Sequence, residues 1–201
     1  MTQLFTYRFA SWDSPLWVQP NRSSARFNRA GSGPTQYLCL HPLGPWAEYL
    51  RKEDYTSIDD LLEIRARVWV LRIHEPDVFD LTFDTAEQLG IPPAELIADE
   101  YGPCQELADR CRNEPNMPKA LRVPSAALPG TKNIVVFGPR VMAPYSAEPI
   151  QQIDVPTSIT AEGGRPLSTL VKQVRYLGNP HEEFKSWEHG EPFRFVEPST
   201  K

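Results

Sequence analysis

The apolar residues of this chain fall in short segments separated by polar turns rich in proline and glycine. The segments "LFTYRFA" (4–10) and "TQYLCL" (35–40) each predict a strand. Between them, residues 11–33 are rich in Ser, Asn, Pro and Gly, which predicts a loop. The β-branched and aromatic residues of "ARVWVLRI" (66–73) predict a further strand.

Helix signals follow the second strand. In "GPWAEYLRKE" (44–53), Pro45 lies near the first helical position, which favours it. "SIDDLLEI" (57–64) has capping-box spacing and predicts a brief helix. Asp84 is placed to cap a helix over 85–90, which Gly90 would end. "PAELIADEY" and "PCQELADRCR" predict two helices that are broken at Gly102-Pro103.

Two more strands are predicted late in the first part of the chain, at "KALRVPS" (119–125) and "KNIVVFG" (132–138). The loop between them holds Pro129 and Gly130. Strands therefore cluster at both ends of this region, with helices in the middle. This order predicts an α+β fold with mixed, mostly antiparallel sheets and flanking helices, rather than a doubly wound parallel sheet.

A change in composition after Arg140 predicts a boundary between residues 1–140 and a C-terminal extension, 141–201. Prolines recur there, at positions 144, 149, 156 and 166, and suit turns and edge strands better than helices. "KQVRYLG" (172–178) predicts one strand within it. The extension could cover a cleft, form a homodimer contact or add edge strands.

Composition narrows the class of protein. With 201 residues, 40% of them hydrophobic, the chain can bury a core without a metal or disulfide. A net charge of −5 argues against direct binding of nucleic acid or anionic lipid. Three cysteines without a CxxC pair suggest reduced, buried thiols in the cytoplasm. No apolar run is long enough for a membrane helix, and the N-terminus does not resemble a signal peptide.

Several common catalytic motifs do not occur. The sequence lacks GxGxxG, GxxxxGK[ST], HExxH and GxSxG. Its four histidines are scattered without metal-ligand spacing, so each is expected to be a structural or exposed residue and no metal is expected.

The stretch from Arg22 to Leu50 is the richest candidate site. Arg22, Arg26 and Arg29 lie in the loop, and guanidinium groups bind phosphate oxygens as bidentate forks. Tyr37 could stack on a ring and donate from its hydroxyl. Glu48 is expected in the first turn of its helix, where the helix dipole favours a negative charge.

These groups would suit a nucleotide whose glycosidic bond is cut, because a carboxylate beside the sugar stabilises an oxocarbenium-like transition state. A solvated basic loop, a core tyrosine and a surface glutamate would give the same pattern. Ser125 follows a predicted strand on a proline-led turn, where it could bond a ligand or cap the turn.

Taken together, the two stretches resemble the RES-domain family, named for an arginine, a glutamate and a serine. "ARFNRAGSGPTQY" matches its arginine stretch, and Ser24 and Ala25 replace the glycines that usually precede the arginine. "GPWAEYL" matches the glutamate stretch and "ALRVPSAALPGTKNIVVF" the serine stretch. The likeness covers about residues 5–140.

This resemblance implies a fold similar to ADP-ribosyltransferases, with NAD+ as the substrate in a central cleft. It implies a toxin of a toxin–antitoxin pair that degrades NAD+ at the nicotinamide–ribose bond, with water or phosphate as the acceptor. It also implies a partner antitoxin with an Xre-like DNA-binding module.

The same resemblance places roles on residues of this sequence. Arg26, with Asn28 beside it, would hold the diphosphate of NAD+, and Tyr37 would pack against the nicotinamide. Ser125 would fix the ribose or the nicotinamide amide. Glu48 would stabilise the positive charge that develops as nicotinamide leaves. Three further arginines could help a phosphate acceptor, and each could instead be a surface or structural residue: Arg8, Arg29 and Arg72.

Two other functions remain open at this stage. The same cleft would serve an ADP-ribosyltransferase that modifies a cellular protein. A catalytically silent module of the same fold, docking a partner, would retain much of the pattern.

Overall fold

One mixed sheet forms the centre of the fold. The computed structural model describes residues 3–9, 22–53, 61, 64, 68–74, 78–138, 147–149 and 166–198. Within these residues, seven strands pair in the order β4-β5-β6-β2-β1-β3-β7. They are β1 (Gln3–Phe9), β2 (Thr35–Cys39), β3 (Val68–His74), β4 (Val78–Asp80), β5 (Ala120–Pro124), β6 (Lys132–Phe137) and β7 (Ala147–Pro149).

The helices of the described residues are few and short. Three are α-helices: α1 (Gly44–Glu53), α2 (Gly102–Asn113) and α3 (Glu182–Glu188). Single 3₁₀ turns lie at Ala86–Leu89, Pro93–Leu96 and Ser168–Lys172. None of the helices described is long and apolar enough to cross a lipid bilayer.

Strand direction agrees with the α+β prediction. Every described pairing is antiparallel except that of β4 with β5, which is parallel. The mixed, mostly antiparallel sheet with flanking helices is therefore confirmed. Strand β4 is only three residues long, and its sequence carries too little pattern to predict it.

The register of the central strands decides which side chains face the helices. Tyr37 of β2 lies opposite Val135 of β6, and Cys39 lies opposite Asn133. Because directly opposed residues share a face of the sheet, these four side chains point to the same side. Val135 belongs to a buried cluster with α2, and Cys39 to one with α1.

The opposite face of the sheet carries a smaller core. Its buried members are Leu38, Leu71, Ala120, Ile134 and Val136. These residues alternate along their strands with the residues that face α1 and α2, as the period of two requires. Both faces of the central strands are thus mostly apolar. On the face that α1 and α2 cover, Tyr37 and Asn133 are polar exceptions.

Helix α1 approaches the sheet closely at its first residue. A Cβ on Gly44 would lie 2.6 Å from the Cβ of Cys39, so only glycine fits there. Trp46, Ala47 and Leu50 of the same helix are fully buried. The close approach fixes the height of α1 above β2 and β6, and with it the position of Glu48.

Three predicted elements differ from the structure. Residues 172–178 do not form a strand, because the 3₁₀ turn Ser168–Lys172 ends at the first of them and irregular chain follows. Leu170 and Val174, four residues apart, both face the core, which is helical spacing. Residues 93–101 form only the short turn Pro93–Leu96. Gly102-Pro103 begins α2 rather than separating two helices, because proline suits the first turn of a helix.

Two helix-end predictions have different outcomes. Gly90 ends its 3₁₀ turn with a left-handed φ of 76°, as expected. Asp84 does not cap that turn, since its Oδ1 accepts a hydrogen bond from Trp187 Nε1 at 2.8 Å. The helix predicted at 57–64 lies mostly outside the described residues, of which Leu61 and Ile64 are buried.

Residues 166–198 contact the part of the chain that precedes them. His41 Nε2 bonds Glu197 Oε1 at 2.7 Å, and the ring of His41 lies edge-on to Phe195. Trp187 and Phe184 pack on Phe83. The division of the chain near residue 140 stays a prediction.

Candidate functional site

A tight hydrogen-bonded turn presents Arg26. Ala25 and Asn28 exchange backbone hydrogen bonds of 2.9 and 3.2 Å. The hydroxyl of Tyr37 accepts from the Phe27 N–H at 2.9 Å and donates to Asn28 Oδ1 at 2.8 Å. Burial raises the pKa of Tyr37, which keeps its hydroxyl protonated as a donor. The turn is therefore held from strand β2.

Helix α2 holds the same turn from the other side. Gln105 Nε2 donates to the carbonyls of Ala25 and Asn28, at 3.0 and 3.1 Å. Arg112 Nη2 donates to the Phe27 carbonyl at 2.7 Å. These bonds explain how the turn keeps its shape although Ser24 and Ala25 stand where the family pattern has glycine.

The guanidinium of Arg26 projects from this turn into a partly buried region. Its Nη1 donates to the Glu95 carbonyl at 3.2 Å, and its Cζ lies 5.1 Å from the centre of the Tyr101 ring. Burial lowers the pKa of Arg26, the charge of Arg51 adds to that effect, and the carboxylate of Glu48 opposes it. The side chain is thus in electrostatic reach of Glu48 and Arg51 on α1.

Glu48 is the fifth residue of α1 and so lies in its second turn, not in the first as the sequence suggested. Asn133 Nδ2 donates to Glu48 Oε1 at 3.1 Å. Asn133 lies on β6 opposite Cys39, on the face of the sheet that α1 covers. The carboxylate is therefore held between the helix and the sheet by the side-chain amide of Asn133.

Ser125 directly follows β5 and is fully buried. Its N–H donates to the Thr131 carbonyl, and its Oγ accepts from the Leu128 N–H at 3.1 Å. The side chain thus caps the turn between β5 and β6. An acceptor role in the turn does not use the hydroxyl proton, and ligand contact by Ser125 stays a prediction.

The hairpin of β5 and β6 brings Ser125 towards Glu48. Val123 pairs with Asn133, so the partner of Glu48 lies at the end of the hairpin from which Ser125 extends. The carboxylate of Glu48 acts electrostatically on Arg26, and the charge of Arg26 acts on His181, whose Nε2 bonds the Ser125 carbonyl. These contacts link Arg26, Glu48 and Ser125 indirectly, and a substrate cleft shared by the three stays a prediction.

A partly buried ion cluster lies beside these residues. Arg51 Nη2 and Arg175 Nη1 contact Asp99 Oδ1 at 2.5 and 2.9 Å. Burial raises the pKa of Asp99, but the Gly178 N–H and the two guanidinium groups outweigh it, so the pKa lies below its usual value. Arg51 is one turn after Glu48 on α1, and the cluster joins that helix to the C-terminal segment.

Other residues predicted for the site lie in different surroundings. Asn28 is buried and bonds Tyr37 and the Ser23 carbonyl, so it shapes the turn. Arg29 pairs with Asp109 at the surface. Arg8 bonds Gln36 through their side chains. The side chain of Arg72 lies outside the described residues. A contact of any of them with a substrate stays a prediction.

Four polar residues beside the site were not predicted from the sequence: Arg51, Asp99, Asn133 and His181. The sequence offers a pointer to Asn133, because this polar residue directly precedes the apolar run "IVVF". It also offers a pointer to Arg51, which lies three residues after Glu48 on a predicted helix and so on the same face. It offers none to Asp99 and His181, because only tertiary contacts bring them here. Among the described residues, no group of three or more His, Cys, Asp or Glu could hold a metal ion.

Comparison with known proteins gives a family and a fold. The family model described as "RES domain" matches residues 5–158. A chain in the crystal structure of the M. tuberculosis MbcT–MbcA toxin–antitoxin complex has a similar structure, with a TM-score of 0.61 and 20% sequence identity. The match covers 78% of this chain and 86% of that one. No curated protein matches the sequence.

Proposed function

This chain belongs to the RES domain family, and from that premise we propose that it is the toxin of a toxin–antitoxin pair that degrades NAD+. The reaction breaks the bond between nicotinamide and the ribose anomeric carbon. The bonding electron pair leaves with nicotinamide, which is cationic in NAD+ and departs neutral. Water or phosphate then bonds to the anomeric carbon, and water would lose its proton to solvent. No general acid is needed for the leaving group.

Glu48 has the chemistry for the step that limits such a reaction. As nicotinamide departs, positive charge develops on the anomeric carbon and the ring oxygen. A carboxylate fixed in advance stabilises that charge without reorganisation. The bond from Asn133 and the packing of α1 on the sheet supply this fixation.

Arg26 would bind the diphosphate of NAD+. A guanidinium carries several N–H donors, and the bond to the Glu95 carbonyl uses one of them. Arg26, Arg51 and Arg175 all act electrostatically on His181, so three positive charges lie in this part of the protein. A local excess of positive charge favours a dianionic ligand.

The observation that carries this proposal is the fixed carboxylate of Glu48, which accepts from Asn133 between α1 and the sheet and acts electrostatically on Arg26. In the proposed site, Arg26 binds the diphosphate, Glu48 faces the sugar carbon, and Ser125, which extends from the β5–β6 hairpin, contacts the ligand beside them. The toxin–antitoxin complex that contains the similar chain supports an antitoxin as the partner. We propose that this partner is Xre-like and limits access of NAD+ to the site.

One assay tests the activity and the acceptor together. Purified protein is incubated with NAD+ in the presence and absence of inorganic phosphate, and nicotinamide and the ribose product are measured by chromatography. Release of nicotinamide is expected, with ADP-ribose as the product of water and ADP-ribose 1-phosphate as the product of phosphate. Intact NAD+ under both conditions would refute the proposal. Mass added to a co-purified protein instead would point to protein modification.

A further inference from the structure

The turn between β5 and β6 that Ser125 caps (the Ser125 turn) is held in part by a segment beyond the family match. That match ends at residue 158. Three hydrogen bonds connect residues 166–198 to the turn after β5. His181 Nε2 bonds the Ser125 carbonyl at 2.9 Å, the Arg175 N–H donates to the Ala127 carbonyl at 2.9 Å, and Glu183 Oε2 accepts from the Gly130 N–H at 2.8 Å.

The geometry fixes the tautomer of His181. Its Nδ1 accepts from the Phe184 N–H at 3.2 Å as the N-cap of α3, so the ring proton resides on Nε2 and donates to the Ser125 carbonyl. The residue is 3% exposed. Burial lowers the pKa of His181 to about 4, with a smaller contribution from nearby arginines, so the ring is neutral at pH 7.

The contact acts on Ser125 through its backbone. The carbonyl of Ser125 is tied to His181, and its Oγ is tied to the Leu128 N–H within the same turn. Loss of the Nε2 donor leaves a buried carbonyl with one bond fewer, and such a group gains by moving towards water or another donor. Any such movement displaces the serine side chain.

We propose that His181 is a positioning residue that sets the place of the Ser125 turn in the substrate site. The inference rests on the proposed function in so far as Ser125 contacts NAD+. It also gives the C-terminal segment a role in the site: α3 serves as a support for the turn, and the Glu183 contact with Gly130 is its second point of attachment.

Two substitutions separate this role from the capping of α3. In His181→Asn, the side-chain oxygen takes the place of Nδ1 and keeps the cap, but the side chain is too short to reach Ser125. In His181→Gln, the amide nitrogen takes the place of Nε2 and can donate to the carbonyl. Glu182→Gln is the matched control, because Glu182 is exposed on the same helix and pairs only with Lys185 among the described contacts.

Two readouts are compared across the four proteins. Amide hydrogen exchange reports the Leu128 N–H, which is protected by Ser125 Oγ. Kinetics report KM and kcat for NAD+. In His181→Asn we expect faster exchange at Leu128 and a KM raised about fivefold, the effect of one neutral hydrogen bond, with kcat nearly unchanged. His181→Gln should restore both values, and Glu182→Gln should match the parent.

Parental exchange and parental KM in His181→Asn would overturn the inference. Faster exchange with an unchanged KM would overturn it as well, since the turn would then not govern substrate binding. Failure of the Gln variant to recover would assign the effect to packing of the ring and also contradict the inference. If the parent itself consumes no NAD+, the proposed function fails, and the exchange data alone decide whether His181 fixes the turn.

Discussion

Asn133 donates its side-chain N–H to Glu48 at 3.1 Å, and this bond joins strand β6 to helix α1 at the point where the proposed chemistry takes place. Asn133 Oδ1 is buried without a hydrogen-bond partner among the described residues. A buried amide with one unpaired end is costly. We infer that Asn133 positions the carboxylate of Glu48 rather than stabilising the fold.

Replacing Asn133 should lower the rate of NAD+ consumption. In Asn133→Leu the carboxylate loses a charge-assisted hydrogen bond worth about 1.5–3 kcal/mol, so kcat/KM is expected to fall about tenfold or more. Asn133→Asp should be slower still, because two carboxylates in contact share one proton and Glu48 loses part of its charge. Rates are measured by nicotinamide release.

Lys132→Gln is the control for this series, since Lys132 is the exposed neighbour on the same strand. Its rate should equal that of the parent. Equal rates for Asn133→Leu and the parent would show that Glu48 needs no fixation from the sheet.

The hydroxyl of Tyr37 should contribute to stability through the Arg26 turn. Tyr37→Phe leaves the Phe27 N–H and Asn28 Oδ1 without the partner that they share. The free energy of unfolding is expected to fall by about 1–3 kcal/mol, as measured by urea denaturation. A variant as stable as the parent would mean that the turn is held by α2 alone.

Two glycines with nearly the same backbone conformation allow a matched test of the C-terminal packing. Gly130 has a φ of +83°, and a Cβ there would lie 2.8 Å from both Phe193 Cε1 and the Phe195 nitrogen. Gly178 has a φ of +79°, and a Cβ there would meet nothing within 4 Å. Both alanine variants carry the strain of the left-handed region, about 1–2 kcal/mol.

Only Gly130→Ala also forces residues 193–195 away from the turn, which should cost roughly a further 1–3 kcal/mol. Its Tm is therefore expected to lie several degrees below that of Gly178→Ala in differential scanning calorimetry. Identical Tm values for the two variants would show that residues 193–195 do not pack on the turn.

The buried neutral His181 predicts a pH dependence of stability. Its pKa is about 4 in the folded chain against 6.5 for an ordinary histidine, because burial disfavours the charged form. The unfolded chain therefore binds the proton first, and stability falls as the pH decreases from about 6.5 to about 4. The loss is at most on the order of 3 kcal/mol, since each pKa unit corresponds to about 1.4 kcal/mol.

Thermal melts at several pH values check this prediction. The Tm of the parent should fall more steeply over this interval than that of His181→Gln, whose side chain does not titrate. Parallel curves for the two proteins would place the proton-linked change on other groups.

Local pattern was sufficient for most of the sheet and for α1. Strands β2, β5 and β6 are short apolar segments bounded by Pro, Gly or polar residues, and α1 begins with a proline in its first turn. Such features depend on nearest neighbours and need no tertiary information. The strand predicted at residues 172–178 was wrong because a run such as "KQVRYLG" suits either a strand or a turn until its burial is known.

The residues that support the site could not be predicted, because their roles depend on tertiary contacts. Arg26, Glu48 and Ser125 could be named from their stretches, because each has a local signature. Asp99 and His181 have no signature, since Asp99 gains its role from Arg51 and Arg175, and His181 gains its role from the carbonyl of Ser125. Contacts between residues 48 or more positions apart leave no periodic trace in one sequence.

The central claim is that the charge of Glu48 drives the loss of nicotinamide from NAD+, and one comparison tests it most directly. NAD+ consumption is measured for the parent, for Glu48→Gln, which keeps the shape and removes the charge, and for Glu87→Gln, which removes an exposed carboxylate elsewhere. The account predicts a loss of at least ~10²-fold for Glu48→Gln and a parental rate for Glu87→Gln. A Glu48→Gln variant that consumes NAD+ as fast as the parent would contradict it.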